Sequence, residues 1–218
     1  MMLDKVLSEI LPPVIYRAPA RIRSRMPAAK ANEDVLFDGD DAMFKQVAAS
    51  ACTYGEYGCG ASTVWMAHHS ECLILSVDSS EAWLGTVRQK LGAVARVHLH
   101  HAELGAIGNW GRPVSYERGD NFADYTDWIW AQDALPDVVL VDGRFRVCCF
   151  LTCLLNASKG TQILFDDYTD RPHYHFVERF LAPARTCGRQ ALFSAPGHAE
   201  VDGVELRKAI DQFRFVMD

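Results

Sequence analysis

The chain has 218 residues, 49% of them hydrophobic, enough to bury one full core but not two independent ones. Its 28 acidic and 22 basic side chains leave a net charge of −6, which argues against a protein that lives on nucleic acid, where an excess of Lys and Arg is needed. Seven cysteines, an odd number, fall mostly inside apolar runs and form no CxxC pair, which suits reduced core thiols and supports neither a disulfide frame nor a structural zinc site.

The opening MMLDKVLSEILPPVIYR has only a short apolar stretch, broken by charges and by Pro12-Pro13. It reads neither as a secretory signal nor as a membrane span, so a soluble cytoplasmic protein with no membrane partner is the expectation. Arg17, Arg21, Arg23, Arg25 and Lys30 follow in an otherwise acidic chain. Residues 1–35 therefore read as an N-terminal arm or cap, either solvated or laid over the mouth of a site that takes an anion, and residues 36–218 as the main domain.

Along the main domain the pattern alternates. ACTYGEYG is a strand entering a glycine turn, STVWMAHH the start of a helix, CLILSVD a buried strand, and SEAWLGTVRQKLG a helix ending at Gly92. Next come the strand ARVHLHH, a glycine-punctuated insertion LGAIGNWGRPVSYERGD, the helix FADYTDWIWAQDAL and the strand PDVVLVDG. The insertion fits a lid over a ligand or an ordinary surface loop. FRVCCFLTCLLNAS is an almost wholly apolar helix, and TQILFDD a further buried strand. RQALFSA and QFRFVMD are candidates for two last strands. Short apolar strands alternating with helices predict an α/β fold, a doubly wound and mostly parallel sheet covered on both faces.

In such a sheet ligands bind beyond the carboxyl ends of the strands, where strand order reverses. Each of the five strands brings a carboxylate to that rim or near it, in order Glu56, Asp78, Glu103, Asp142 and the pair Asp166-Asp167. The first loop, YGEYGCGAST, has no Lys after Gly60, so it is not a phosphate loop of the Walker type. A GxGxxG dinucleotide loop would match only at Gly58 and Gly60, and Glu56 would aim negative charge at a pyrophosphate. A ligand with a cationic or neutral middle suits the loop better, its ammonium accepted by Glu56 directly or through water and its ribose hydroxyls by Asp78. A plain tight turn from strand to helix is the structural alternative.

The loop ExGxGxST followed by SVDSS resembles the class I S-adenosylmethionine-dependent methyltransferases, over roughly residues 36 to 181. The resemblance implies a Rossmann-like, seven-stranded sheet ending in an antiparallel strand pair. It places the methionine part of S-adenosylmethionine at Glu56, Gly58 and Gly60, with Ser62 beside them, the ribose at Asp78 and the adenine at Glu103. Within that class, VLVDGRFR and ILFDDYTDRPHY are similar to small-molecule O-methyltransferases of the catechol and caffeoyl-CoA type. That likeness implies a divalent cation such as Mg²⁺ at Asp142, Asp166 and Asp167. Two departures stand out: Asp167 replaces an asparagine, and Phe145 stands where the catechol enzymes carry their lysine base. The three aspartates suit helix caps and loop acids equally well.

Proton removal from an acceptor oxygen then falls to a metal held by Asp142 and Asp166, which would lower the acceptor's pKa and so make these two catalytic candidates, or to His173 or His175 in DDYTDRPHYH, with Tyr168 beside them. His98 and His100 share one face of their strand, as packed histidines or as a metal pair. Arg144 and Arg146 on the rim point to an anionic acceptor. VDGRF has none of the Asn/Asp-Pro-Pro-aromatic loop of base-modifying relatives, so nucleic acid is again disfavoured. The expectation is methyl transfer to a small molecule, at oxygen; the alternatives are an NAD(P)-dependent oxidoreductase and a noncatalytic protein that binds an adenosyl ligand.

Overall fold

The computed structural model describes residues 35–37 and 40–218. The basic arm with Arg17, Arg21, Arg23, Arg25 and Lys30 lies outside them. The chain enters through a short helix, α1 (Ala42–Ala48), and then alternates: β1 (Thr53–Tyr57), α2 (Ala61–His69), β2 (Leu73–Asp78), α3 (Glu81–Leu91) and β3 (Val97–His101). After the insertion come α4 (Phe122–Asp127), β4 (Val138–Val141), α5 (Arg146–Asn156) and β5 (Gln162–Phe165). A 3₁₀ segment over Pro172–Arg179, β6 (Arg185–Cys187), β7 (Gln190–Ser194) and α6 (Gly203–Phe213) complete the chain. No helix among the described residues is long and apolar enough to cross a membrane.

The seven strands form one sheet in the order β3-β2-β1-β4-β5-β7-β6. The first five are parallel; β7 runs antiparallel to β5, and β6 to β7. All five residues of β1 and all four of β4 are buried; β4 shows this as the apolar run VVLV, whereas β1, TYGEY, buries Thr53 and Glu56 as well. Alternate side chains feed two cores. Tyr57, Val77, Val141 and Phe165 face α5 and α6, while Tyr54, Ile74, Leu140 and Leu164 face Met43 and Phe44 of α1 and Met66 of α2.

Ser80 caps α3 through the Trp83 amide at 3.3 Å, and Gly92, at φ +65°, ends it as expected. Nine consecutive residues of α5, Arg146 to Leu154, are buried, since the helix lies between the sheet and α6. Two sequence expectations need correction. The helix expected over FADYTDWIWAQDAL stops at Asp127 and tightens into a 3₁₀ turn over Trp128–Trp130. QFRFVMD is not a strand: Phe213 belongs with Leu206, Ala209 and Ile210 to the buried face of α6, and the seventh strand is the short segment Arg185–Cys187.

Strand order reverses between β1, which continues outward through β2 and β3, and β4, which continues through β5. The carboxyl ends of β1 and β4 are therefore where such a sheet offers a ligand crevice.

Candidate functional site

The loop after β1 is built around Glu56. This side chain is fully buried, and both its oxygens accept from hydroxyls: Tyr54 at 3.0 Å, Ser76 at 2.8 Å, and Ser62 and Thr63 from the first turn of α2. Burial raises the Glu56 pKa against the pull of these four donors. The carboxylate is absent from the wall of the crevice, which corrects the direct reach to a ligand ammonium expected from sequence. Glu56 instead braces the loop from beneath, fixing where α2 starts relative to β1 and β2. Gly58 (φ +89°) lies so close to Gly143 that a Cβ on it would stand 2.7 Å from the Gly143 Cα, so the loops after β1 and β4 meet backbone to backbone. A Cβ built on Gly60, by contrast, meets nothing within 4 Å, and the loop opens there into free space.

That space is a cleft of about 800 Å³, lined on one side by Gly58, Gly60 and Ser62 and on the next strand by Asp78. The two Asp78 oxygens each accept one backbone amide, Cys59 at 3.1 Å and Ser80 at 2.8 Å. Their remaining lone pairs are available to a diol. Burial raises the Asp78 pKa in spite of these amides. Trp83 ties the loop down through its indole N–H to the Cys59 carbonyl at 2.6 Å.

The insertion after β3 is settled as a wall of this cleft. Residues 106–114 double back in a hairpin, with Val114 N donating to Ala106 O at 3.0 Å and Gly108 N to Arg112 O at 2.7 Å. Ser79 Oγ, next to Asp78, donates to the Gly111 carbonyl at 2.6 Å and fastens the hairpin across the opening. At its tip Trp110 adopts a left-handed conformation (φ +61°) and is 85% exposed. Among the described residues the other non-glycine positions with positive φ are Phe145 and Asp167, in the loops after β4 and β5; Asp167 lines the cleft, and Phe145 lies buried between Arg144 and Arg146, which do. Such conformations are costly for aromatic residues and cluster where function fixes the backbone.

Asp142, Asp166 and Asp167 do converge, with one oxygen from each lying within 4.8 Å of the others. Three guanidiniums answer them. Arg146, only 4% exposed, meets Asp142 at 3.0 Å and Asp167 at 2.9 Å. Arg189 forks onto Asp166 at 3.1 and 2.6 Å, and Arg171 meets Asp167 at 2.7 Å. Gln190 adds a donor to Asp166 at 3.0 Å. Crowded carboxylates need cations, and here the arginines supply them. The donor set does not fit the divalent ion expected at Asp142, Asp166 and Asp167, because guanidiniums engage both oxygens of Asp166 and of Asp167 and one of Asp142, and already balance their charge.

Asp142 and Asp167 both line the cleft, and Asp142 is the more exposed of the two. Its side chain is 27% exposed, lining the cleft, and burial together with repulsion from Asp166 and Asp167 holds its pKa well above the ordinary aspartate value, against Arg146. Asp166 is fully buried and does not reach the cleft.

Three further candidates lie away from the cleft. Glu103 is exposed and accepts the Gly105 amide at 2.9 Å. His173 is exposed with its ring against Tyr174, and burial of its remaining surface lowers its pKa. His175 sits 3.1 Å from the Tyr168 carbonyl, with Tyr168 itself donating to Glu178 at 2.7 Å. None of these lines the cleft. His100, weighed as one of a metal pair with His98, instead meets Asp124 at 2.8 Å and stacks on Trp128. Sequence reasoning missed Arg171, Arg189 and Tyr125, the last lining the cleft and accepting the Arg144 amide at 3.0 Å. The i, i+4 spacing of Asp142 and Arg146 was a visible signal; the approach of Arg189 across a strand pair was not.

No family model matches the chain, and comparison with curated proteins finds no match. Among solved structures, a methyltransferase-like protein from Silicibacter pomeroyi DSS-3 is 31% identical, with a TM-score of 0.70 over 79% of this chain and 92% of its own. The N-methyltransferase NodS from Bradyrhizobium japonicum WM9, solved in complex with S-adenosyl-l-homocysteine, is 13% identical, with a TM-score of 0.48 over 71% of this chain and 85% of its own.

Proposed function

The chain belongs to the family of that methyltransferase-like protein and has the class I methyltransferase fold, and from that premise we propose that it binds S-adenosylmethionine in the cleft after β1 and transfers the methyl group to an oxygen of a small acceptor. The observation that carries this reading is the make-up of the cleft at the switch point: an open glycine loop with a buried carboxylate beneath it, and Asp78 facing in from the next strand. Negative potential at Glu56 and Asp78 opposes a pyrophosphate and favours a sulfonium and an ammonium.

When bound, S-adenosylmethionine supplies a methyl carbon whose bond to sulfur breaks, with its electron pair going to sulfur, as the acceptor oxygen attacks in line. The chain's own part is to hold and to dehydrate. Gly58 and Gly60 admit close approach to backbone, Asp78 takes ribose hydroxyls, and the 106–114 hairpin screens the reacting end from water. The acceptor's hydroxyl proton goes to Asp142, an acid on the cleft wall whose pKa burial raises above the ordinary aspartate value.

Two tests follow directly. Asp78→Ala weakens binding of S-adenosylhomocysteine by about 1.5–3 kcal/mol, the value of hydrogen bonds to a charged group, read as a reduced ligand-induced thermal shift. An unchanged shift in the folded variant removes Asp78 from the site. Methyl transfer also proceeds at full rate in excess chelator, because Arg146, Arg171 and Arg189 neutralise the aspartate triad. Loss of activity restored by Mg²⁺ would reinstate the metal.

A further inference from the structure

A second recess, of about 540 Å³, adjoins the cleft: Gly108, Trp110 and Arg144 line both, and Arg112, Val114 and Met217 line the second alone. Its two cations have no direct side-chain partner among the described residues. In the cleft Arg146, Arg171 and Arg189 are matched by Asp142, Asp166 and Asp167. Arg144, half-buried between the two spaces, makes no side-chain hydrogen bond or ion pair among the described residues, and neither does Arg112. Asp218, whose carboxylate feels the Arg144 charge, instead accepts the Arg146 amide at 3.1 Å. Around these cations the wall is formed by Trp110, Pro113, Val114 and Met217 with the polar Asn109, and the Trp110 indole is held out at the hairpin tip by a left-handed backbone.

A guanidinium that faces a recess without a partner binds a carboxylate by a two-pronged fork, and an exposed indole offers its face to a flat ring. We propose that this recess is the acceptor site and that it selects small aromatic carboxylates, with Arg144 taking the carboxylate, Arg112 supporting it and Trp110 covering the ring. Because Arg144 and Trp110 also border the cleft, a ring held between them presents its far edge, and any hydroxyl on it, toward Asp142. The assignment rests on the methyltransferase reading.

The test is calorimetric titration of the full chain, first with S-adenosylhomocysteine and then, at saturation, with 3-hydroxybenzoate, 4-hydroxybenzoate and 3,4-dihydroxybenzoate, each beside its uncharged amide. At least one carboxylate is expected to bind about tenfold or more tightly than its amide, the scale of a charge-assisted pair. Arg144→Gln removes that preference, and Arg144→Lys keeps part of it because the charge remains while the fork is lost. Arg112→Gln, at an exposed position, lowers the preference about threefold by the loss of one supporting charge, and carries the test should Arg144→Gln fail to fold. Absence of S-adenosylhomocysteine binding would overturn the methyltransferase reading and this site with it. Binding of that ligand with no carboxylate favoured over its amide, or a preference that survives Arg144→Gln, would overturn the acceptor assignment alone.

Discussion

Asp142→Asn lowers kcat for methyl transfer by about 10²–10⁴-fold, the range for loss of a general base. Of the aspartates after β4 and β5, Asp166 is sealed beneath Arg189 and Gln190, Asp167 lines the cleft but is held by Arg146, Arg171 and Arg189, and Asp142 lines it with one guanidinium, Arg146, beside it. Burial, with repulsion from Asp166 and Asp167, raises the Asp142 pKa, and a base works only when deprotonated. The rate therefore falls as pH drops through that raised value, and the acid limb of the kcat profile lies above the ordinary aspartate range. In Asp142→Asn the limb disappears, and kcat falls far more than affinity for S-adenosylhomocysteine. A variant that retains the limb assigns the proton to another group.

Glu56→Ala destabilises the fold by on the order of 3–5 kcal/mol, as expected for a disrupted buried polar network. Four hydroxyls, from Tyr54, Ser62, Thr63 and Ser76, lose their common acceptor at once, in a place closed to bulk water. Ser62 and Thr63 open α2 and Ser76 belongs to β2, so the damage falls on the join that shapes the cofactor loop. Urea unfolding reads the loss as a lower midpoint, and binding of S-adenosylhomocysteine weakens in parallel. Glu56→Gln, which keeps the size and one carbonyl acceptor, is the milder change. A wild-type midpoint in Glu56→Ala would show that the hydroxyls find other partners and that the carboxylate is not a brace.

Much of the architecture was legible because its signals are local. A strand buried on both faces, such as β4, announces itself as an apolar run, and Ser80 and Gly92 mark the ends of α3. The far end of the chain was harder. QFRFVMD alternates over a few residues like a strand, yet the spacing of Leu206, Ala209, Ile210 and Phe213 upstream is helical and prevails. The three residues of β6 are too few and too exposed to carry a pattern.

The same division holds at the site. Gly58, Gly60 and Asp78 follow from where strands end, but the inward turn of Glu56 depends on hydroxyls from three separate elements. The aspartate triad could be foreseen by position, whereas its arginines could not. Arg189 reaches Asp166 only through the pairing of β7 with β5, and Arg171 reaches Asp167 around a left-handed turn. Glu103, His173 and His175 looked apt as residue types, and the turns that follow β3 and β5 carry them off the cleft. Residue type at a strand end is thus a weaker guide than the direction in which the following loop leaves.

The claim on which the rest depends is that the cleft takes an adenosyl sulfonium ligand and not a pyrophosphate. Calorimetric titration of the wild-type chain with S-adenosylhomocysteine and, separately, with NAD and NADP tests it most directly. The predicted result is saturable one-to-one binding of S-adenosylhomocysteine and no measurable heat from either dinucleotide, since Glu56 and Asp78 make that part of the cleft negative. Binding of NAD or NADP with none of S-adenosylhomocysteine would contradict the account and make the chain a dinucleotide-binding protein on a methyltransferase fold.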